Sequence, residues 1–381
     1  MAERRFIEPD LDFVKEVGCL GGDTLKKCFQ CATCSVVCNL TPEKKPFPRK
    51  EMIWASWGLK ERLLSDPDVW LCYQCNDCSA YCPRGAKPGD VLAAVRSYSF
   101  MHYATPQFLG KALGRARYLP LLFAFPVILL LFLMGITGHL EIPEGEIVFA
   151  KFIPHTILDP LFIAVSILVV ISLVVGISRF WNGFKIGVHP LGSQSISWGD
   201  LVKLHLIPTV VEILKHSRFK KCERNVFRYL AHLLIFYGFV ALAAVTGMIF
   251  LGTYTYLGDI LDTKLPLLMH HPVKILANLG ALSLFIGCTI VISNRLRETE
   301  DKSRNTYFDW AFVIILYLVA ISGILTEVVR LSDIAVLAYW LYFLHLVLVF
   351  YLLAYLPFSK FAHLIYRTVA LVYASYSGRE K

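Results

Sequence analysis

Charged residues are scarce in this chain. They make up 18% of its 381 residues while hydrophobic residues make up 56%, a balance that excludes an ordinary soluble protein. The net charge of +9 does not indicate nucleic-acid binding, because the basic residues lie between long apolar runs. Alternating, strand-like patterns are also scarce in the polar N-terminal part. Together these absences predict an all-α protein that contacts membrane lipid and binds no nucleic acid.

The chain divides into two parts of different composition. Residues 1–105 are polar and rich in cysteine, and residues 106–381 are dominated by apolar runs. No secretory signal precedes the first run, which begins near Tyr118, too late for a signal peptide. We therefore expect the N-terminal part to stay in the cytoplasm, where thiols remain reduced and available to iron.

Two cysteine runs dominate the N-terminal part, and both read C-x2-C-x2-C-x3-C. This spacing is the bacterial-type ligand set of a 4Fe–4S cluster. Zinc prefers two separated C-x2-C pairs, and a cysteine at every third residue suits no disulfide framework. The first run contains Cys28, Cys31, Cys34 and Cys38, and the second contains Cys72, Cys75, Cys78 and Cys82.

The two runs are expected to share their ligands. In bacterial two-cluster ferredoxins the fourth cysteine of each run ligates the other cluster. The expected sets are Cys28, Cys31, Cys34 and Cys82 for one cluster, and Cys38, Cys72, Cys75 and Cys78 for the other.

Two helices are predicted between and after the cysteine runs. Apolar residues at helical spacing indicate one over Arg49–Leu64. The second covers Asp90–Met101, with Asp90 as its N-cap. We therefore expect an α-helical ferredoxin domain rather than the small type that contains β-strands.

Six apolar runs in residues 106–381 are long enough to cross a hydrocarbon core about 30 Å thick. Loops on one side are rich in Lys and Arg and the alternate loops are poor in them, which predicts that both termini lie in the cytoplasm. The amphipathic segment 198–216 is too polar to span and is predicted to lie on the cytoplasmic surface. The predicted fold is a ferredoxin domain joined to a six-helix bundle in the inner membrane. The predicted spans are 119–137, 157–178, 226–251, 272–293, 308–330 and 336–358.

Ionisable residues inside a bilayer are costly, so those that occur there are candidates for a function. The histidines in the membrane part are therefore candidate haem ligands. His232 and His345 lie within spans, and His363 follows His345 by eighteen residues. On one continuous helix this spacing is five turns, about 27 Å, and both rings would share a face. Pro357 lies between the two histidines and predicts some kink. The pattern suits two b-type haems, an inner one held by His232 and His363 and an outer one held by His345 with His271 or His270. The alternative is a set of hydrogen-bonded histidines without metal.

Other polar residues divide into a quinone candidate and ordinary surface residues. Quinone is the natural lipid-soluble partner of membrane haems, and its carbonyls need hydrogen-bond donors near a haem edge. Lys274, beside the expected outer haem, is the candidate donor, with Glu327 and Arg330 as weaker ones. The alternative for Lys274 is interfacial snorkelling. Ordinary interfacial positions are predicted for His102, His139, His155, His189, His205 and His216.

The segment HLVLVFYLLAYLPFSKFAH, from His345 to His363, resembles the final helix of nitrate reductase gamma-type cytochromes b. That family carries two haem-ligating histidines at this spacing, and the resemblance implies this role for both residues. The third span, RYLAHLLIFYGFVALAAVTGMI, resembles the family's helix with the other two ligands. His232 matches the first of these.

The resemblance is incomplete at the outer haem. Leu242 stands where the second ligand of the third span is expected, so His270 or His271 would have to replace it. Lys274 falls near a lysine that is associated with quinone binding in that family.

The N-terminal part resembles the C subunit of heterodisulfide reductase, most clearly in CPRGAKPGDVLAAVR from Cys82 to Arg96. Asn39 departs from that pattern, since proline usually follows the fourth cysteine. A domain of this kind fused to a cytochrome b that resembles the E subunit of heterodisulfide reductase is similar to the membrane subunits of quinone-interacting membrane-bound oxidoreductases of sulfate reducers. The resemblance implies menaquinone as substrate and two cytoplasmic flavin and iron–sulfur subunits as partners, with exchange with adenylylsulfate reductase.

Three functions compete at this point. The leading hypothesis is a membrane subunit that passes electrons between menaquinol, two haems, two clusters and cytoplasmic flavoproteins. The second is a subunit of a heterodisulfide-reductase-type complex; direct disulfide reduction is disfavoured because the chain has no adjacent cysteine pair. The third is a membrane anchor that docks a ferredoxin domain without haem.

Overall fold

The computed structural model describes residues 8–43, 45–186, 196–220, 226–256, 258, 267–297 and 306–379. Within these ranges the chain is helical and has no strand, which confirms the all-α prediction. The division between residues 105 and 106 stays a prediction; one helix ends at Tyr103 and the next, Gln107–Leu113, begins four residues later.

The N-terminal domain is built from short helices around one long helix. The helix expected over Arg49–Leu64 is two helices, because Gly58 interrupts it with a φ of +65°. A Cβ on Gly58 would lie 2.8 Å from the carbonyl oxygen of Asp10, so this turn requires glycine. The helices of this domain are Leu11–Val17, Thr33–Val36, Arg49–Ser56, Lys60–Leu64, Asp68–Leu71, Asp77–Ala80 and Pro88–Tyr103.

The long helix Pro88–Tyr103 begins earlier than the sequence predicted. Its N-cap is Lys87 and Pro88 occupies the first turn, so the prediction of Asp90 as N-cap is wrong. Proline is favoured at the first helical position because its fixed φ is suitable and it has no N–H to leave unpaired. Asp90 instead lies in the first turn, where a carboxylate interacts favourably with the helix dipole.

Among the described residues, six helices are long and apolar enough to cross a membrane, as predicted. The segment predicted to lie on the membrane surface is helical from Trp198 to Lys215, in three consecutive pieces. The six spans, numbered here 1 to 6, are Leu119–Ile136, His155–Ile186, Val226–Tyr254, Pro272–Leu296, Tyr307–Leu331 and Ala335–Ala354.

The last span ends before the segment that follows it, which corrects one expectation. Span 6 stops at Ala354 and is followed by two short 3-10 turns, with extended backbone at Ser359. A separate C-terminal helix then runs over His363–Tyr376. His345 and His363 therefore lie on different helices, and the expectation of one continuous helix with both rings on one face is wrong. Pro357 lies in the break, where it cannot donate a backbone hydrogen bond.

Spans 3 and 4 approach each other closely through glycine. A Cβ on Gly238 would lie 2.8 Å from the carbonyl oxygen of Gly280, and one on Gly287 would lie 3.0 Å from that of Ala231. Small residues at such contacts let two membrane helices pack backbone against backbone. This packing fixes the part of span 3 that carries His232.

The N-terminal domain and the membrane helices share one hydrophobic core. Trp70 lies at its centre, with its ring centroid 5.4 Å from that of Phe180 in span 2 and 5.9 Å from that of Tyr366 in the C-terminal helix. Phe100 of the long helix contacts the same Tyr366 at 5.7 Å. The cysteine-rich domain is therefore held firmly against the ends of the membrane helices.

Candidate electron-transfer site

The two cysteine loops have the same unusual backbone. The residues on either side of the second cysteine have positive φ in both loops: Gln30 and Ala32 in the first, Gln74 and Asn76 in the second. Non-glycine residues avoid this region because it costs about 1–2 kcal/mol per residue. Residues that alternate in this way turn successive N–H groups toward one side, and such concavities bind anions. The backbone thus fits a 4Fe–4S cluster in both loops.

The fourth cysteine of the first run lies beside the second run. Burial, followed by the nearby Cys72 and Cys75 thiols, raises the pKa of Cys38 to about 12. The helices Thr33–Val36 and Asp77–Ala80, one from each loop, contact each other. This places Cys38 where the ligand-exchange prediction needs it.

Two further sulfurs, those of Cys34 and Cys78, are buried among other thiols in the same way. Burial, followed by the Cys28 and Cys31 thiols, raises the pKa of Cys34 to about 11. Burial also raises the pKa of Cys78, with Cys72, Cys75 and Cys38 adding to the shift. Thiols so placed ionise only when a metal takes the proton's place, which is the chemistry of an iron–sulfur site.

The inner histidines lie together at the end of the membrane helices nearest the cysteine loops. His232 of span 3 lies within electrostatic reach of His363 and His216. Its Nδ1 is 3.1 Å from Nε2 of His216, and Nδ1 of His363 is 2.5 Å from the carbonyl oxygen of Lys360. Haem-ligating imidazoles coordinate through Nε2 while Nδ1 is held by a hydrogen bond. In both rings Nδ1 is held by a contact of this kind.

His216 is a residue that the sequence analysis missed. The prediction of an ordinary interfacial position is wrong, because the side chain is 6% exposed and contacts His232 directly. It ends the surface helix with a φ of +51°, and its ring also packs on Phe236 at 5.2 Å. Nothing in the local sequence signals this contact, because it joins the end of the surface helix to a different helix, span 3.

Cationic side chains surround the inner histidines. Arg367 and Lys360 act on His363, and Arg228 acts on His232. A b-type haem brings two propionate carboxylates, which need such partners at the membrane edge. The donor set therefore fits a haem at this position.

His345 is the expected ligand of the outer haem. His345 lies midway along span 6, with its Nδ1 2.9 Å from the hydroxyl oxygen of Ser322 in span 5. A Cβ on Gly323 would lie 3.1 Å from the His345 ring, so glycine makes room for the imidazole. Ser322 was not singled out from the sequence.

The expected partners of His345 lie at a different depth. His271 caps the first turn of span 4, and His270 precedes it and is exposed. His345 is ten residues from the start of span 6, about 15 Å along the helix axis. Its pairing with His271 or His270 stays a prediction. Leu242 packs between spans 3, 4 and 5 where the resemblance would place a ligand.

The predicted quinone donor has an acidic partner. The ammonium nitrogen of Lys274 lies 2.8 Å from a carboxylate oxygen of Glu327. The side-chain amide of Asn278 donates to the other oxygen at 3.1 Å. Lys274 is thus part of a polar group between spans 4 and 5, and simple snorkelling does not describe it.

A chain of aromatic contacts connects the second cysteine loop to His232. The ring of Tyr73, next to Cys72, contacts Phe219 edge-on at 5.9 Å. Phe219 in turn lies 5.2 Å from the His232 ring. The second loop is therefore adjacent to the inner histidines.

Comparison with known proteins finds matches to the N-terminal part. A model of the 4Fe–4S dicluster domain matches residues 24–86. The C subunit of the H2:CoB-CoM heterodisulfide,ferredoxin reductase of Methanothermobacter marburgensis is 37% identical over 89 residues, which is 23% of this chain and 48% of that protein. The chain thus spans about half the length of this relative. No solved structure matches the chain.

The membrane part has relatives of two kinds. The E subunit of the dihydromethanophenazine:CoB–CoM heterodisulfide reductase of Methanosarcina thermophila is 27% identical over 170 residues, 43% of this chain and 64% of that protein. Citrate utilization protein B of Escherichia coli is 26% identical over 322 residues, 79% of this chain and 80% of that protein. The expected likeness to a fusion of heterodisulfide reductase subunits is confirmed in this form. Because the model of citrate utilization protein B matches residues 110–381, the chain belongs to the citrate utilization protein B family.

Proposed function

We propose that this chain is the membrane electron-transfer subunit of a quinone:cytoplasmic-acceptor oxidoreductase. It would connect menaquinone, two b-type haems and two 4Fe–4S clusters with cytoplasmic flavoproteins, and these groups supply single-electron transfer when bound. The observation that supports the proposal is the contact between a cysteine loop and the inner histidines through Tyr73 and Phe219.

The residues have defined tasks in this proposal. The eight cysteines hold the clusters in the exchanged sets, and His232 and His363 hold the inner haem, each fixed in orientation through Nδ1. His345, fixed by Ser322, holds the outer haem with His271 or His270. Lys274 and Glu327 are the proposed contacts of quinone, because a lysine–carboxylate pair offers a hydrogen-bond donor and a proton acceptor together.

The wider setting is also part of the proposal. The resemblance to membrane subunits of sulfate reducers supports two flavin and iron–sulfur partners and exchange with adenylylsulfate reductase. The orientation has both termini in the cytoplasm and the bundle in the inner membrane. A reporter enzyme that is active only outside the cytoplasm, fused after Lys381, should give no activity; activity there would contradict the orientation.

The test is spectroscopic and uses the full chain purified in detergent. The reduced-minus-oxidised optical spectrum should show b-type haem bands, and electron paramagnetic resonance (EPR) of the reduced protein should show two 4Fe–4S clusters. Addition of a menaquinol analogue should reduce the haems. Cluster signals without any haem band would contradict the proposal and favour a haem-free membrane anchor.

A second candidate is a subunit of a heterodisulfide-reductase-type complex, favoured by the relatives named above. The same preparation distinguishes the two. Reduction of the haems by menaquinol analogues and not by dihydromethanophenazine supports the quinone function. The opposite preference supports the heterodisulfide function.

A further inference from the structure

Arg228 connects span 3 to the second cysteine loop. Its guanidinium donates to the carbonyl oxygen of Tyr73 at 2.9 Å and to that of Gln74. Arg228 precedes His232 by four residues, so the two side chains lie one helical turn apart on the same side of span 3. The helix that carries a proposed haem ligand therefore also binds the backbone of a cluster loop.

Arg367 makes the corresponding contact from the C-terminal helix. It donates to the carbonyl oxygen of Cys72 at 2.8 Å, and its guanidinium lies 4.4 Å from the centre of the Tyr73 ring. Arg367 follows His363 by four residues, again one turn away on the same helix. Each inner histidine is thus paired with an arginine that binds the segment Cys72–Gln74.

A third arginine, Arg96, adds positive charge beside the second cysteine loop. Arg96 is 7% exposed and donates to the carbonyl oxygen of Val69 at 2.7 Å, and its charge lies within electrostatic reach of Cys72, Arg228 and Arg367. Buried like charges are costly unless an opposite charge compensates them, and a cluster with four thiolate ligands is an anion. The three guanidiniums fit an anionic cluster on the second loop.

The first cysteine loop lies in different surroundings. Cys31 is exposed, and so is the side chain of Phe29, at 67%. Arg84 lies 4.1 Å from the centre of the Phe29 ring, and the charge of Arg49 acts on Cys31.

We infer that Arg228 and Arg367 position the cluster held by Cys38, Cys72, Cys75 and Cys78 beside the inner haem and raise its reduction potential. This cluster is the membrane-proximal half of the relay, and the cluster held by Cys28, Cys31, Cys34 and Cys82 faces the soluble partner. The inference rests on the proposed function for the identity of the bound groups. The two arginines are positioning residues, since they bind the loop and touch no reacting atom.

The experiment is an EPR redox titration of the full-length protein carrying Arg228→Gln and Arg367→Gln, singly and together. Removal of a positive charge beside an anionic cluster favours its oxidised form. One of the two clusters should therefore shift to lower potential, more in the double variant, while the other keeps its potential. Arg84→Gln should lower the potential of the other cluster and leave that of the arginine-bound cluster unchanged. Arg117 is exposed and contacts Tyr118, so Arg117→Gln should shift the potential of neither cluster.

A second measurement does not depend on the bound groups. Hydrogen exchange should become faster at the amides of residues 72–76 in the arginine variants, while residues 28–32 stay unchanged. Arg228→Lys keeps the charge but loses the forked contact, so it should retain the potential better than it retains the protection of the loop.

The outcomes separate this inference from the proposed function. If both clusters shift equally in the double variant, or neither shifts, the inference is overturned even when the haem bands are intact. If no haem binds while one cluster still shifts, the arginine contacts are supported and the haem part of the proposed function fails.

Discussion

The two cysteine loops have the same spacing and the same pattern of positive φ, yet they lie in different surroundings. The second loop is bounded by Arg96, Arg228 and Arg367, and its Cys78 is buried beneath the start of the long helix at Gly89. The first loop is open to solvent at Cys31. A repeated motif thus lies in two different environments, one beside arginines of the membrane part and the other open to solvent.

The largest expected effect tests whether the two loops share their fourth ligands. Cys38→Ser should remove the cluster of the second loop, although Cys38 belongs to the first run, because this residue lies among Cys72 and Cys75. Cys82→Ser should remove the other cluster. EPR of the reduced variants, with the arginine-sensitive signal as the marker, identifies which cluster is lost. Loss of the arginine-insensitive signal in Cys38→Ser would show that each run serves its own cluster.

The next largest effect concerns the two proposed haem sites. His363→Ala should remove the haem next to the second loop, and His345→Ala should remove the other haem and leave both clusters. Haem content per protein, measured by pyridine haemochrome, should fall by about half in each variant. Retention of both haems in either variant would disprove the corresponding ligand assignment.

His216 provides a matched variant for the inner haem. Its contact with Nδ1 of His232 orients the ligand without binding iron, so His216→Ala should retain haem but shift its potential. His205→Ala serves as the control, because His205 contacts Ser375 and Tyr376 and lies away from His232. Complete loss of the inner haem in His216→Ala would make His216 a ligand in its own right.

A third effect concerns the anchoring of the second loop. The helix Asp68–Leu71 leads directly into Cys72, and Arg379 at the C-terminal end binds the Asp68 carboxylate while both side chains are almost fully buried. Arg379→Ala leaves that carboxylate without one of its partners, and breaking a buried pair costs about 3–5 kcal/mol. Urea unfolding followed by cluster absorbance should show the loss. Lys15→Ala, in an exposed surface pair with Asp12, should change stability by less than about 1 kcal/mol.

The sequence predicted the parts of this molecule that depend on local spacing. Residue type and periodicity predicted the cysteine runs and the six spans. They also singled out three histidines as candidate ligands: His232, His345 and His363. Pro357 predicted a kink between His345 and His363, but not that the helix ends at Ala354 and a new one begins at His363, because hydropathy does not show where backbone hydrogen bonds stop. Gly58 divides a predicted helix because of a contact with Asp10, which is distant in sequence. The arginine contacts and His216 depend on how separate elements meet, and no local pattern encodes that.

The smallest expected effect is a pH dependence in the network that holds the second loop. Lys50 lies within 2.8 Å of carboxylate oxygens of Glu51, Asp66 and Asp68, so these three buried carboxylates share Lys50 and Arg379 as their only cations among the described residues. One carboxylate must take up a proton, and burial raises the pKa of Glu51 to about 8.

A folded-state pKa above the unfolded value of about 4.3 means that the folded chain binds more protons between these two values. Stability from this group is therefore present below about pH 4.3 and is lost as the pH rises toward 8, by at most about 1.4 kcal/mol per pH unit. Glu51→Gln mimics the protonated form and should reduce this slope, with a growing advantage over the parent chain as the pH rises. Unfolding midpoints in urea from pH 5 to 8 test the prediction, with the exposed Glu61→Gln as control. Parallel midpoints for Glu51→Gln and the parent chain across this range would mean that the proton resides elsewhere in the network.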